Sequence, residues 1–278
     1  MIGINPATYN YKPKVSRHLR QQQEANVREK IEQIQLKFPT AGYRTVGHYL
    51  VRDFNLQVNS KKIRRIMKKY NLQAEIKRAF VATTDSNHKL PIFQNLICGM
   101  SVTDVNQVWE ADITYIRIQN GFVYLAVILD VYSRKVVGYA LSRRIDAELT
   151  IAALQAAIES RKPKPGLIHH SDRGSQYASR AYCEVMENHQ IRGSMSAKGN
   201  PYDNAFAERF MKTLKYEEVY LWNYETILDV QENIPKFIEE IYNEQRIHSK
   251  LGYLTPSEFE QKLISDKQSG VRLEPLTL

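Results

Sequence analysis

The chain holds only two cysteines, Cys98 and Cys183, 85 positions apart. That spacing makes no metal-ligand pair, and two lone thiols build no disulfide framework. Its seven histidines are scattered, with no paired His and Cys signature for zinc. Long apolar runs are missing as well. The longest, Phe122 to Leu129, has 8 residues and falls far short of a membrane span. The first residues, MIGINPATYNYKPK, have no apolar core of signal-peptide length. These absences lead us to expect a soluble, cytoplasmic protein with no membrane partner. Acidic residues are scarce in one region only. Residues 1–90 hold 18 Lys and Arg against 6 Asp and Glu, a balance of +12, whereas residues 91–278 hold 21 against 24, a balance of −3. The whole net charge of +9 therefore arises in the first third. Such asymmetry points to a polyanionic partner, most often nucleic acid. A merely solvated basic surface is the alternative.

What is present divides the chain into five parts. Residues 1–39 are a lead-in, with Pro6 and Pro13, followed by a helix over 16–38 that puts Val27, Ile31, Ile34 and Phe38 on one face. Pro39 ends it. Residues 40–78 read as a basic pair of short helices, the second with Ser60 as its expected N-cap. There Ile63, Ile66, Met67 and Tyr70 face inward and Lys61, Lys62, Arg64, Arg65, Lys68 and Lys69 are left outside. The pair suggests a helix-turn-helix-like unit whose cations bind DNA phosphates. The plain alternative is a solvated helix face, and no Asn or Gln is placed for a bidentate base contact. Residues 79–104 form a polar connector.

From residue 105 the character changes. QVWEADITYIRI alternates like a half-buried strand, Asn120-Gly121 reads as a primed hairpin turn, and FVYLAVILD is apolar throughout, as a central buried strand should be. KVVGYAL is a third strand. A helix over 146–161, the strand GLIHHS, the helix SRAYCEVMENHQ and the strand IRGSMS follow. Next come a helix over 200–216, capped by Asn200 with Pro201 in its first turn, and one over 226–246 broken near Pro235. Hairpins first, then crossovers, imply an α/β fold: a mixed five-stranded sheet with helices on both faces, preceded by the small basic all-helical region. This part spans 105–262, and 263–278 read as a tail.

Three carboxylates stand out. Asp112 lies in a strand, where a charge is costly unless it is paired, metal-bound or at an exposed end. Asp172 follows LIHHS at the mouth of a strand, the place where open α/β sheets hold ligands, and Gly174 lets the chain turn there. Glu208 sits on a helix among Ala205, Phe206, Ala207 and Phe210. Each acid alone has a dull explanation: an edge residue, a cap, a surface Glu. Clustered, they repel, and one takes up a proton unless a divalent cation resolves the conflict. Oxygen-only ligands favour magnesium or manganese, and two such ions can clamp the attacking and leaving oxygens of a phosphodiester. Lys212 and Lys215 lie one and two turns beyond Glu208 and would grip the phosphates. Tyr202 and Asn204, beside the loop, are further candidates for DNA contact. His169 and His170 either orient Asp172 or are strand residues with one ring exposed. Arg246 and His248 read as packing or DNA contact ahead of catalysis, and Trp109 as core.

Taken together these motifs resemble a known family. Asp112, Asp172 and Glu208, with 35 residues between the last two, match the DDE triad of retroviral-integrase-like transposases. VWEADITYI, LDVYSRKVVGYAL, IHHSDRGSQYAS, SMSAKGNPYDNAFAERFMKTLK and YNEQRIHSKLGYLTP resemble, in order, blocks of the OrfB proteins of insertion sequence family three. The resemblance covers about residues 40–260. It implies a ribonuclease-H-like integrase catalytic core over 105–262, with two magnesium (or manganese) ions held by Asp112, Asp172 and Glu208. It also implies metal-dependent DNA cleavage and strand transfer, with transposon-end and target DNA as partners, a bacterial DNA-associated setting and a homo-oligomer on DNA. An OrfA partner or fusion is expected to supply end recognition. A plain nuclease of the same fold and a DNA-binding regulator are the competing readings.

Overall fold

The computed structural model describes residues 17–74, 92–197, 204–271 and 274–278. The chain folds as two compact units, Met1–Ile76 and Lys77–Leu278.

The first unit is all helical: α1 (Arg17–Lys37), α2 (Tyr43–Phe54) and α3 (Ser60–Lys69). The apolar stripe expected on α1 is buried at Val27, Ile31, Ile34 and Phe38, and meets Val46 and Leu50 of α2 and Ile63 and Ile66 of α3 as the unit's core. Phe38 stacks on Tyr49 with ring centroids 4.6 Å apart. The cap of α3 is Asn59, not Ser60. The Asn59 carboxamide accepts from the Lys61 N–H at 2.8 Å, and Ser60 is already the first helical residue. Either side chain can cap, and the extended backbone at Asn59 decides between them.

The second unit is built on β1 (Ser101–Val102), β2 (Val108–Ile118), β3 (Gly121–Asp130), β4 (Val136–Ser142), α4 (Ala147–Arg161), β5 (Ile168–Ser171), α5 (Arg180–Asn188) and β6 (Arg192–Met195). Then come α6 (Ala205–Leu214), which runs on into a π-helical turn Lys215–Val219, and α7 (Ile227–Lys236), which runs on into Phe237–Asn243. Finally α8 covers Pro256–Gln268 and β7 Leu276–Thr277. The main sheet has five strands in the order β4-β3-β2-β5-β6. β2, β3 and β4 form an antiparallel meander, and β5 and β6 lie parallel to β2. This is the ribonuclease-H-like arrangement the sequence leads us to expect. β3 is apolar from Val123 to Leu129 because helices cover both sides of it there. Ile128 packs with Trp109, Leu154 and Tyr182 on the α4–α5 face. Its neighbours Val127 and Leu129 pack with Phe210, Leu214 and Ile234 on the α6–α7 face.

Four local expectations are corrected. The β2–β3 hairpin turns at Gln119 and Asn120, neither with positive φ, and Gly121 follows at φ 114°. The turn is therefore of the unprimed kind, with glycine in the bulge position after it. Pro235 does not break its helix. The chain continues through it and widens into a π-helical segment, which accommodates the missing N–H and the ring's bulk. The supposed tail and connector are structured in part: α8, which begins with a capping box between Thr255 and Glu258, runs into the tail as far as Gln268, and β7 at the end of the tail pairs antiparallel with β1 in the connector. The sequence T-P-S-E carries that start signal, Thr at the cap, Pro next and Glu three on. The helix bearing Glu208 begins at Ala205 with Asn204 at its N-cap, while Asn200 and Pro201 lie outside the described residues.

Candidate active site

The site forms where β2 outruns its neighbour. β5 pairs with β2 only along Val108–Glu110, so the next outward residues of β2 stand beyond the end of β5. Asp112 is there, and Asp172 directly follows Ser171, the last residue of β5. Each aspartate is braced by the local backbone. Asp112 Oδ1 accepts from the Ile113 N–H at 2.8 Å, and Asp172 Oδ1 accepts from the Gly174 N–H at 2.9 Å. Gly174 is needed for space rather than for an unusual φ, since a Cβ there would lie 3.0 Å from Asp172 Oδ1.

The three acids sense one another. Asp112 is surrounded by protein yet still partly reached by solvent. Burial pushes its carboxyl up to about 8. The Asp172 charge adds to this and Glu208 adds less, against the Ile113 N–H and Lys215, which favour ionisation. Glu208, on the exposed side of α6, is raised by burial and by Asp172. Three acids separated by 60 and 36 positions in sequence thus converge electrostatically. Among the described residues, no three His, Cys, Asp or Glu side chains are gathered closely enough to hold an ion unaided. An all-oxygen, mutually repelling donor set at a strand mouth fits a hard divalent cation that keeps part of its shell for water and phosphate.

Two residues to which the sequence assigned no part set the start of α6. Glu110 is buried in β2, two positions before Asp112, and its Oε2 accepts from the backbone N–H groups of Phe206 and Ala207, both at 2.9 Å. Burial raises its pKa to about 7 even though both N–H groups and the Arg134 cation favour the charged form. Arg134, in left-handed backbone conformation at φ 62°, stacks its guanidinium 3.8 Å from the Phe206 ring centroid. Burial lowers its pKa to about 10. Asn204 is corrected from a DNA contact to an anchor. It is buried, and its Nδ2 donates to Ala111 O at 3.1 Å, tying the cap of α6 to β2 beside Asp112. A lone Glu in WEADI carries no sequence signal for this role, because the partner N–H groups are 96 and 97 positions away.

The other candidates divide. Lys212 is exposed, with Nζ 6.0 Å from the Tyr216 ring centroid. Lys215 is half-buried, its Nζ lies 4.7 Å from the Tyr115 centroid, and burial lowers its pKa against the opposing pull of the Asp112 charge. Tyr202 lies outside the described residues. On α3, Lys61, Arg64 and Lys68 are exposed and Lys62 is half-buried, but Arg65 and Lys69 are engaged by Glu24 at 2.8 and 2.7 Å. The basic face is thus narrower than the six cations suggest. Both strand histidines are buried, contrary to one exposed ring. His170 bridges the Ser194 and Ser196 hydroxyls, and His169 meets the Tyr182 hydroxyl at 2.8 Å. Burial drops His169 to about 3, so it is neutral. Arg246 pairs bidentately with Glu217 at 2.8 and 2.9 Å, and His248 packs edge-on to Tyr242, which is a packing role. Trp109 is fully buried, with its indole N–H donating to Asn106.

Comparison with known proteins bears on this geometry. Residues 102–201 and 189–256 match two integrase core domain families, and residues 13–80 match an HTH-like domain. The chain is 40% identical, over 87% of its length and 92% of the relative's, to the uncharacterized 31 kDa protein of insertion element IS600 from Shigella sonnei. It is 38% identical to transposase InsF for insertion sequence IS3A of Escherichia coli strain K12, over 73% of this chain and 71% of that protein. The chain belongs to the IS3 family of transposases. A third family member, the transposase for insertion sequence element IS904 of Lactococcus lactis, is also 38% identical, over 76% of this chain and 84% of its own. Among solved structures, the chain is similar to a simian T-cell lymphotropic virus intasome, at TM-score 0.47 and 16% identity over 83% of this chain and 74% of that one. It is also similar to the BIV integrase catalytic core domain, at TM-score 0.44 and 18% identity over 59% and 99%. Among the described residues no helix is long and apolar enough to cross a membrane.

Proposed function

We propose that this transposase cuts and joins DNA at insertion-sequence ends through Asp112, Asp172 and Glu208. The observation that carries the reading is the placement of three acids that lie far apart in sequence: Asp112 just past the end of β5, Asp172 directly after β5, and Glu208 on a helix whose cap and first turn are bonded to Ala111 and Glu110, the two residues before Asp112 in β2. These three would hold two magnesium or manganese ions, with DNA phosphate completing the coordination. When bound, such ions supply Lewis-acid stabilisation of the attacking and departing oxygens of a phosphodiester. The chain's own residues do the rest. Glu110 and Asn204 fix the start of α6, and with it Glu208, against the strand that carries Asp112. Lys212 and Lys215 draw the phosphate towards the acids. Lys61, Lys62, Arg64 and Lys68 of the helical unit hold duplex phosphates. Two DNA ends must be held together, which calls for more than one copy on DNA, and an OrfA partner or fused segment supplies end recognition.

The test is a joining assay. A labelled DNA end with a free 3′ hydroxyl is incubated with target DNA and magnesium, with and without an OrfA partner. The wild-type chain is expected to give joined product in at least the complete reaction. Glu208→Gln is expected to give none while binding duplex DNA within about twofold of wild type, because one neutral amide removes a metal ligand and leaves the phosphate-binding cations in place. Strand transfer by Glu208→Gln would remove Glu208 from the mechanism. No joining in the complete reaction would leave at most a nuclease.

A further inference from the structure

Beside the acids, the open flank of β2 carries an aromatic ledge that the reaction as described does not use. Tyr115 is three residues beyond Asp112 on β2, and its ring meets Phe122 of β3 edge-on at 5.3 Å. From the other side, Lys215 places its ammonium 4.7 Å from the Tyr115 centroid. Tyr216 and Tyr220 of the following π-helical turn are also edge-on, 5.5 Å apart, and Lys212 reaches to 6.0 Å from the Tyr216 centroid. Lys215, which reaches Tyr115, directly precedes Tyr216 in the π-helical turn, so the two pairs adjoin as one patch. Tyr115, Tyr216 and Tyr220 are half-buried, and Phe122 is 46% exposed. One exposed ring needs no explanation. Four adjoining rings with two ammonium groups, one of which also faces the Asp112 charge, do.

We propose that Tyr115, Phe122, Tyr216 and Tyr220 stack unpaired bases of a single DNA strand beside the acids, with Lys212 and Lys215 on its phosphates. This rests on the reading that the site acts on DNA. Flat rings interleaved with cations are the chemistry of sequence-tolerant single-strand binding. A closed duplex hides its base faces in its own stack, so the ledge takes only strands that are frayed or single. It would hold a DNA end open at the phosphodiester to be attacked.

The full chain is tested in EDTA, where no cutting occurs, by fluorescence anisotropy with oligo(dT) and with a blunt duplex. The double variant Tyr216→Leu/Tyr220→Leu should lose about tenfold in affinity for oligo(dT), while duplex affinity changes less than about twofold. Tyr216→Phe/Tyr220→Phe, which keeps the rings, should match wild type on both. Equal losses on both DNAs, or none on oligo(dT), overturn the proposal. A second measurement needs no variant: 2-aminopurine in a single strand should be quenched when wild type binds, and unchanged emission overturns the ledge. Intact duplex binding with no quenching defeats the ledge alone. Failure of wild type to bind either DNA defeats both the ledge and the DNA-acting reading.

Discussion

Asp112 sets a cost against a function. Its carboxyl is raised to about 8 in the fold, against about 3.9 in an unfolded chain. Between those values the folded state binds more protons than the unfolded one, so this residue's contribution is favourable below about pH 4 and is lost as pH rises through 8. Asp112→Asn is therefore expected to abolish joining yet raise Tm at pH 8, by about 2–4 °C for each kcal/mol recovered. The gain should shrink towards pH 4. Paired thermal melts at the two pH values check this, and a variant less stable at pH 8 contradicts it. Magnesium should raise the wild-type Tm and leave that of Asp112→Asn unmoved, because a ligand stabilises only the state that binds it.

At the scale of elements, α6 is held at its first turn by a residue of another element. A helix start leaves N–H groups without partners, and the Glu110 carboxylate serves two of them across the sheet. Glu110→Ala should cost about 1–3 kcal/mol, the penalty for buried N–H groups left unpaired, and should reduce joining by loosening Glu208. Glu110→Gln retains an acceptor oxygen and should restore most of the stability. Denaturant unfolding with joining rates measures both, and equal losses for Ala and Gln would mean that charge, not hydrogen bonding, fixes the helix. The Pro235 helix shows the limit of local rules at this scale. Proline predicts a break, but Val230, Ile234, Phe237 and Ile238 on either side are buried in one core, and that packing carries the helix through with a wider turn.

For the molecule as a whole, charge and chemistry are divided between the two units. The basic excess lies before residue 90 and the acids after it. Reversing Lys61, Lys62 and Arg64 should weaken duplex binding and lower the slope of log affinity against log salt by about 0.9 for each phosphate that α3 ceases to neutralise. The melting of the second unit should stay unchanged. Binding titrations across salt concentrations decide it, and an unaltered slope would show that α3 does not face phosphate. Arg65 is left out of this set because Glu24 already holds it.

The sequence by itself determined the sheet, its order of hairpin before crossovers, the buried stripe of α1, and the three acids with their spacing, because periodicity and strand-mouth position are local properties of the chain. It also carried the T-P-S-E start of α8, a local signal strong enough to argue against a structureless tail. Other features belong to tertiary structure alone. They are Glu110 under α6, Asn204 turned inward to Ala111, Arg65 and Lys69 drawn to Glu24, and the tyrosines of β2 and the π-helical turn meeting beside Asp112. Each depends on groups many residues apart whose pairing is settled by how β2, α3 and α6 pack. A buried carboxylate or a half-covered ring looks the same in sequence whether its partner is water, a backbone N–H or a cation, and only the packed chain decides which.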